Sequence, residues 1–201
     1  MSQSVAAIVL AGGASSRFGT DKLVATLYGT PMLHHALNAV AMVADRIVIV
    51  IAPGAAEPAV PTGLASRIAI ARDDALHQGP LAGLAAGLAA CPSNAEVAII
   101  VGGDMPSLQA AVLTLLADAI RAHPALGAAT LEADPPSALP VAVRPSIAAP
   151  AVAALLADNR RALRGLLAAI PSMLVPAADW RAVDPDSRTL RDIDVPEDLV
   201  R

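Results

Sequence analysis

Three short stretches of this chain carry residue types and spacings suited to an anionic ligand. The first is Leu10-Ala11-Gly12-Gly13-Ala14-Ser15-Ser16-Arg17-Phe18-Gly19-Thr20-Asp21-Lys22. Its glycines let the backbone turn sharply and approach a ligand closely, its Ala and Ser residues keep the loop open, and Arg17 and Lys22 bring positive charge. The second is Gly102-Gly103-Asp104-Met105-Pro106, where an apolar run ends in glycines and one carboxylate, and the proline stops the strand. An Asp so placed suits a hard divalent cation such as Mg²⁺, which takes oxygen ligands and completes its shell with water and substrate phosphates. The same Asp could instead cap a helix opening near Ser107. The third is Asp73-Asp74-Ala75-Leu76-His77-Gln78-Gly79-Pro80-Leu81-Ala82-Gly83. Gly79-Pro80 ends a loop and opens a helix whose small residues serve tight packing on a sheet, a ligand above the helix N-terminus, or both.

Positioning these loops requires strands that end where the loops begin. Apolar runs at 5–10, 46–51, 67–71 and 97–101 read as strands, and their nearly continuous hydrophobicity suits burial on both faces. Helical stretches lie at 31–43, 80–90 and 107–122, with a proline in the first turn of the first two. The alternation predicts an α/β fold, a mostly parallel sheet covered on both sides, in which ligands bind at the carboxyl ends of the strands. The last third is less regular. Strands are expected at 127–131, 139–143 and 188–193, and helices at 145–156 and 162–170, with heavy proline punctuation from Asp134 to Pro150.

A chain of 201 residues accommodates one well-packed α/β domain and is short for two. With 55% hydrophobic and 1% aromatic residues, the core must be built from Ala, Val, Leu and Ile. The mean hydropathy of +0.58 is high, yet no apolar run reaches the ~18 to 20 residues that span a bilayer, so no membrane role is expected. Met1-Ser2-Gln3-Ser4 lacks the basic region of a secretory signal, which predicts a cytoplasmic protein. A net charge of −4 argues against a nucleic-acid partner. Cys91 has no partner for a disulfide and reads as a small buried hydrophobe. His34, His35, His77 and His123 lack zinc-ligand spacing and an adjacent nucleophile, so neither a zinc site nor a triad is expected.

The glycine loop matches neither a P-loop nor a G-x-G-x-x-G dinucleotide fingerprint. It resembles the signature loop of nucleotidyltransferases with a Rossmann-like core: Leu-Ala-Gly-Gly, small residues, Arg, an apolar residue, Gly, a short gap, Lys. Taken with Gly79-Pro80-Leu81-Ala82-Gly83 and the Asp104 segment, the chain resembles the molybdenum cofactor guanylyltransferase family, which joins GMP from GTP to molybdopterin. The resemblance runs over most of the chain, with its specific motifs in the first half. It implies a single Rossmann-like three-layer domain of the nucleotide-diphospho-sugar transferase type, with residues 1–110 as the nucleotide-binding half and 111–201 facing the acceptor. By the same resemblance, Leu10, Ala11, Gly12, Gly13 and Gly79 hold the nucleotide, Lys22 its phosphates, Asp73 or Asp74 the nucleoside, and Asp104 a Mg²⁺ ion. Arg17, Lys22 and Asp104 are the expected catalytic set. Arg160, Arg161 and Arg164 form a basic cluster where the family presents arginines to the acceptor, or else a solvated helix face. Asp192 and Asp194 complete the acceptor set.

The related cytidylyltransferases usually carry Ala at the Gly12 position, so the missing methyl is expected to make room for a purine. Four features depart from the family pattern: the register around Asp73 is shifted by about a residue, and three segments differ in residue type. Ala52-Pro53 replaces an Asn after the second strand, Leu139 replaces a polar residue before Pro140, and Asp192-Ile193-Asp194-Val195-Pro196-Glu197 replaces an Asn-x-Asn-Thr-Pro-Glu motif. These departures keep open a CTP-dependent enzyme on molybdopterin, or one acting on a sugar phosphate or other small phosphorylated acceptor. A non-catalytic module delivering cofactor to a molybdoenzyme is a further alternative, and molybdoenzymes or other cofactor-synthesis proteins are the expected protein partners.

Overall fold

The computed structural model describes residues 4–12, 25–73 and 79–193. In chain order these form β1 (Ser4–Leu10), the short hairpin β2 (Thr26–Leu27) and β3 (Thr30–Pro31), α1 (Met32–Ala41), β4 (Arg46–Ile51), β5 (Ile68–Arg72), α2 (Pro80–Ala90), β6 (Ala95–Gly102) and α3 (Ala110–Ala122). Then follow β7 (Ala128–Leu131), β8 (Val141–Val143), α4 (Pro145–Ala157), α5 (Arg164–Ala169), β9 (Ser172–Val175) and α6 (Ala177–Val183). Seven strands make one sheet in the order β5-β4-β1-β6-β8-β7-β9. Among its described strands, only β8 runs antiparallel to its neighbours, β6 and β7.

The two-residue period of the strands sorts their side chains onto two cores. Val5, Ala7 and Val9 of β1, with Ile47, Ile49, Ile51, Val97, Ile99 and Val101, pack against α1 and α3 on one face. Ile8, Val48, Val50, Ala98 and Ile100 pack against α2 and α4 on the other. The result is three layers, helix on sheet on helix. Small residues set the approach of α2: a Cβ on Gly87 would stand 2.5 Å from Ile8 Cγ2 and 3.1 Å from Val50 Cγ2. Gly83 likewise faces Leu10 and Val50, so both helical glycines serve packing on the sheet.

The regular first half forms where it is expected, within a few residues at the ends. The last third departs in two ways. The strand expected at 188–193 is instead a short 3₁₀ turn, Arg188–Leu190, followed by irregular chain. Its backbone donors are taken locally: Arg188 N and Thr189 N donate to the two carboxylate oxygens of Asp184, at 3.0 and 2.8 Å. β9 and α6 lie where the sequence pattern predicts no element. Pairing with β7 makes β9, and α6 docks through fully buried Trp180, whose Nε1 donates to the Glu132 carbonyl at 3.0 Å. Cys91 follows α2 half-buried, and burial pushes its thiol pKa up to about 11. No helix among the described residues is long and apolar enough to cross a membrane.

Candidate active site

Because β5, β4, β1 and β6 are parallel, their carboxyl ends share one edge of the sheet, and the segments singled out from sequence follow them there. Hydrogen bonds continue the ladder past the strand ends. Ala11 N donates to Val50 O (2.8 Å), Asp73 N to Ile51 O (3.0 Å) and Gly103 N to Leu10 O (2.9 Å). Asp73 thus sits at the β5 end and Asp104 just past the β6 end, with Leu10, Ala11 and Gly12 between them. The ends of β5 and β6 are three strand spacings apart, roughly 14 Å. Asp73 and Asp104 therefore stand at opposite ends of a site long enough for an extended ligand.

Gly12 has a reason to lack a side chain that owes nothing to a base. A Cβ there would stand 3.2 Å from Ala52 N and 3.5 Å from Ile51 C, against the backbone where β4 ends. At the β6 end, a Cβ on Gly102 would lie 2.3 Å from Asp104 Oδ1, so the glycine leaves the carboxylate its place. Asp104 does not cap α3. That helix starts at Ala110 with Gln109 as its N-cap, and Gln109 N donates instead to Thr189 Oγ1 at 3.1 Å.

The second half of the chain supplies the opposite wall. Arg160, Arg161 and Arg164 follow α4, which ends in a Schellman turn with Asn159 left-handed (φ 63°), Asn159 N donating to Leu156 O and Arg160 N to Leu155 O. The turn throws Arg161 against α2. Leu81 N donates to Arg161 O at 3.2 Å, and a Cβ on Gly79 would lie 3.0 Å from both Arg161 Cβ and Arg161 O. Gly79 has φ 82°, which favours glycine on its own account. The first turn of α2 is thus closed by a protein carbonyl.

Between the two walls lies a cleft of about 540 Å³, bordered by Pro80, Asp104, Leu139, Arg161, Arg164 and Asp192. Two aspartates and two arginines border it. Arg161 Nη2 donates to Asn159 Oδ1 at 2.8 Å, and Arg164 Nη2 donates to the Pro136 carbonyl. Arg160 does not border the cleft; its guanidinium lies over Gly165, with Nη2 3.2 Å from where a Cβ would be. Of the expected acceptor set the structure thus gathers Arg161, Arg164 and Asp192 and leaves Arg160 outside. Gly13, Arg17, Lys22, Asp74 and Asp194 lie outside the described residues. Sequence reasoning missed Ser137 and Leu190, which also border the cleft, and Thr189 and Asp184, which accept hydrogen bonds from Gln109 N and Thr189 N respectively. The Asp184-Pro185-Asp186-Ser187 run was a legible turn signal for the last of these.

The donor set is hard oxygen. Among the described residues no three or more His, Cys, Asp and Glu side chains gather into a metal cage. Asp104 and Asp192 on one cleft suit a cation that fills the rest of its shell from substrate phosphate and water.

The chain is similar in sequence and fold to several known proteins. A family model described as a MobA-like NTP transferase domain matches residues 7–174. A Chloroflexus aggregans protein named "Probable molybdenum cofactor guanylyltransferase" is 28% identical over 200 residues, covering 96% of this chain and 90% of that one. A Nostoc protein of the same name is 39% identical over 111 residues, 55% of this chain and 50% of that protein. The crystal structure of molybdopterin-guanine dinucleotide biosynthesis protein A from Archaeoglobus fulgidus superposes with a TM-score of 0.75 at 22% identity, covering 98% of this chain and 95% of that one. At that identity the superposition establishes the shared fold.

Proposed function

The chain belongs to the family of MobA-like NTP transferase domains and is a nucleotidyltransferase, and we propose that it transfers GMP from GTP to molybdopterin in the cytoplasm, releasing pyrophosphate. The observation that carries this reading is the cleft, which Asp104 at the end of β6 lines together with Arg161 and Arg164 from the second half of the chain. One wall belongs to the nucleotide half, residues 1–110, and the other to the acceptor half, 111–201. The names of the relatives, one aligned over nearly its whole length, support GTP and molybdopterin as substrates.

An oxygen of the acceptor phosphate attacks the α-phosphorus of the nucleotide. The new P–O bond forms as the bond to the pyrophosphate oxygen breaks, and pyrophosphate leaves with the electron pair. No covalent enzyme intermediate is needed, so the protein works by placement and charge. Leu10, Ala11, Gly12 and Gly13 cradle the nucleotide at the β1 end, and Gly79 shapes the α2 start beside it. Asp73 or Asp74 takes the nucleoside at the β5 end. Arg17 and Lys22 neutralise the triphosphate and the charge that builds on the leaving group. Arg161 and Arg164, with Asp192 and Asp194, orient the acceptor phosphate. Asp104, with Asp192 on the same cleft, would hold Mg²⁺, which when bound supplies positive charge to the phosphate oxygens. The tight approach of the Ala52 backbone to Gly12 gives that glycine a packing reason besides room for a purine.

The test is pyrophosphate release by the purified protein with Mg²⁺, offering GTP, CTP, ATP and UTP with molybdopterin or with a panel of sugar 1-phosphates. Release with GTP and molybdopterin is expected. Asp104→Ala should lower it at least about a hundredfold, the usual cost of one transition-state charge contact. Release only with CTP or a sugar phosphate would move the substrates within the same fold. Silence in every combination would favour a delivery module for molybdoenzymes or other cofactor-synthesis proteins.

A further inference from the structure

We propose that Asp184 and Thr189 are positioning residues for the Asp104 end of the cleft, an inference that rests on the assignment of Asp104 to the metal-bound nucleotide. Asp184 is a buried carboxylate, 3% exposed, and Thr189 is fully buried. Both lie outside the cleft lining, in a segment with no regular pairing to the sheet. Their bonds form a relay. Asp184 accepts from Arg188 N and Thr189 N, which folds 184–190 into a closed turn around its own side chain. Ser187, left-handed at φ 53°, lets the chain make that turn, and its N–H donates to the Asp184 carbonyl at 3.0 Å. Thr189 then presents Oγ1 to Gln109 N, the donor at the start of α3. Four residues further on, Ile193 N donates to the Asp104 carbonyl at 3.0 Å.

The loop 104–109 is therefore gripped at both ends by one segment, at Asp104 through Ile193 and at Gln109 through Thr189. Between those grips the same segment turns Leu190 and Asp192 to the cleft. A carboxylate that takes a divalent cation must be held within a fraction of an ångström, and partners behind the ligand commonly supply that constraint. Asp184 supplies it at one remove, through the turn that leads to Thr189 and Ile193. Two charge-assisted bonds to backbone N–H groups fix the turn, and the turn fixes the loop that carries Asp104.

The test uses the full chain and Mn²⁺·GTP as the probe, its affinity read by water-proton relaxation, alongside turnover and thermal unfolding. Asp184→Ala and Thr189→Val should each weaken Mn²⁺·GTP binding by about 10 to 100-fold, the range typical of lost outer partners. Thr189→Ser, which keeps the hydroxyl, should restore most of it. Asp104→Ala marks the full loss. Should Asp184→Ala fail to fold, Thr189→Val carries the test, because it removes one acceptor and keeps the shape. Variants that unfold earlier yet bind Mn²⁺·GTP as the parent does would overturn the proposal and leave the segment a scaffold only. A parent that binds Mn²⁺·GTP but transfers nothing to molybdopterin would defeat the acceptor assignment alone, with the binding ratios still deciding the roles of Asp184 and Thr189.

Discussion

Two helices start at the carboxyl edge on opposite faces of the sheet, and neither closes its first turn with a side chain of its own. Each borrows an acceptor from far along the chain. For α2 it is a backbone carbonyl, Arg161 O on Leu81 N; for α3 it is a hydroxyl, Thr189 Oγ1 on Gln109 N. Every residue has a carbonyl, so the α2 closure leaves the side chain at 161 free to serve the cleft. It constrains the other partner instead, since only glycine at 79 leaves room for the docked backbone. The α3 closure works the other way round. There the side chain at 189 is itself the acceptor, and it is buried, so its identity is committed to structure. The same task solved by backbone frees a residue for function, and solved by side chain consumes one.

The largest effect that would break this contrast is expected from Gly79→Ala. The added methyl meets Arg161 at 3.0 Å in a backbone conformation that L-residues avoid. A loss of about 2 to 3 kcal/mol in urea unfolding is expected, with weaker acceptor binding as Arg161 shifts. A change below about 0.5 kcal/mol, the range of an ordinary surface substitution, would mean the two segments are not tightly docked. Thr189→Val should cost about 1 to 2 kcal/mol by the same measurement, because it leaves the Gln109 amide without its acceptor. Arg161→Ala is the smallest and sharpest. Stability should stay within about 0.5 kcal/mol, since the carbonyl remains, while the KM for the phosphorylated acceptor rises. A large stability loss there would show that the side chain, not the carbonyl, holds the start of α2.

The first half of the fold was legible because its signals are local. Val5 to Val9, Ile47 to Ile51 and Val97 to Val101 are apolar on both faces of a strand, and only a covered parallel sheet accommodates such runs. The glycine and aspartate segments follow those strands directly, so knowing the strands placed Leu10, Gly12, Asp73 and Asp104 on one edge. β9 was not legible: it is four residues long, half-exposed at the sheet margin, and its pairing with β7 comes from 44 residues away by the register of Ala128 with Ser172. Nor was α6, whose only fully buried side chain, Trp180, depends on the Glu132 carbonyl. The run 188–193 looks like a strand in isolation, but Asp184 takes its first two donors and acceptors at Ser187, Arg188 and Asp104 take those of Leu190, Arg191 and Ile193.

The sequence by itself determined the chemistry on offer: which residues are charged, where glycine permits a turn, and that apolar runs of this length demand a covered sheet. It also determined the edge on which that chemistry gathers, since parallel strands end together. Only the tertiary structure decided which arginines reach the cleft, why Gly12 and Gly79 carry no side chain, and what holds Asp104. Those answers depend on acceptors and surfaces delivered from 80 residues away, as Thr189 is to Gln109. No local pattern encodes such a partner, because a backbone N–H bonds whichever acceptor packing brings within reach.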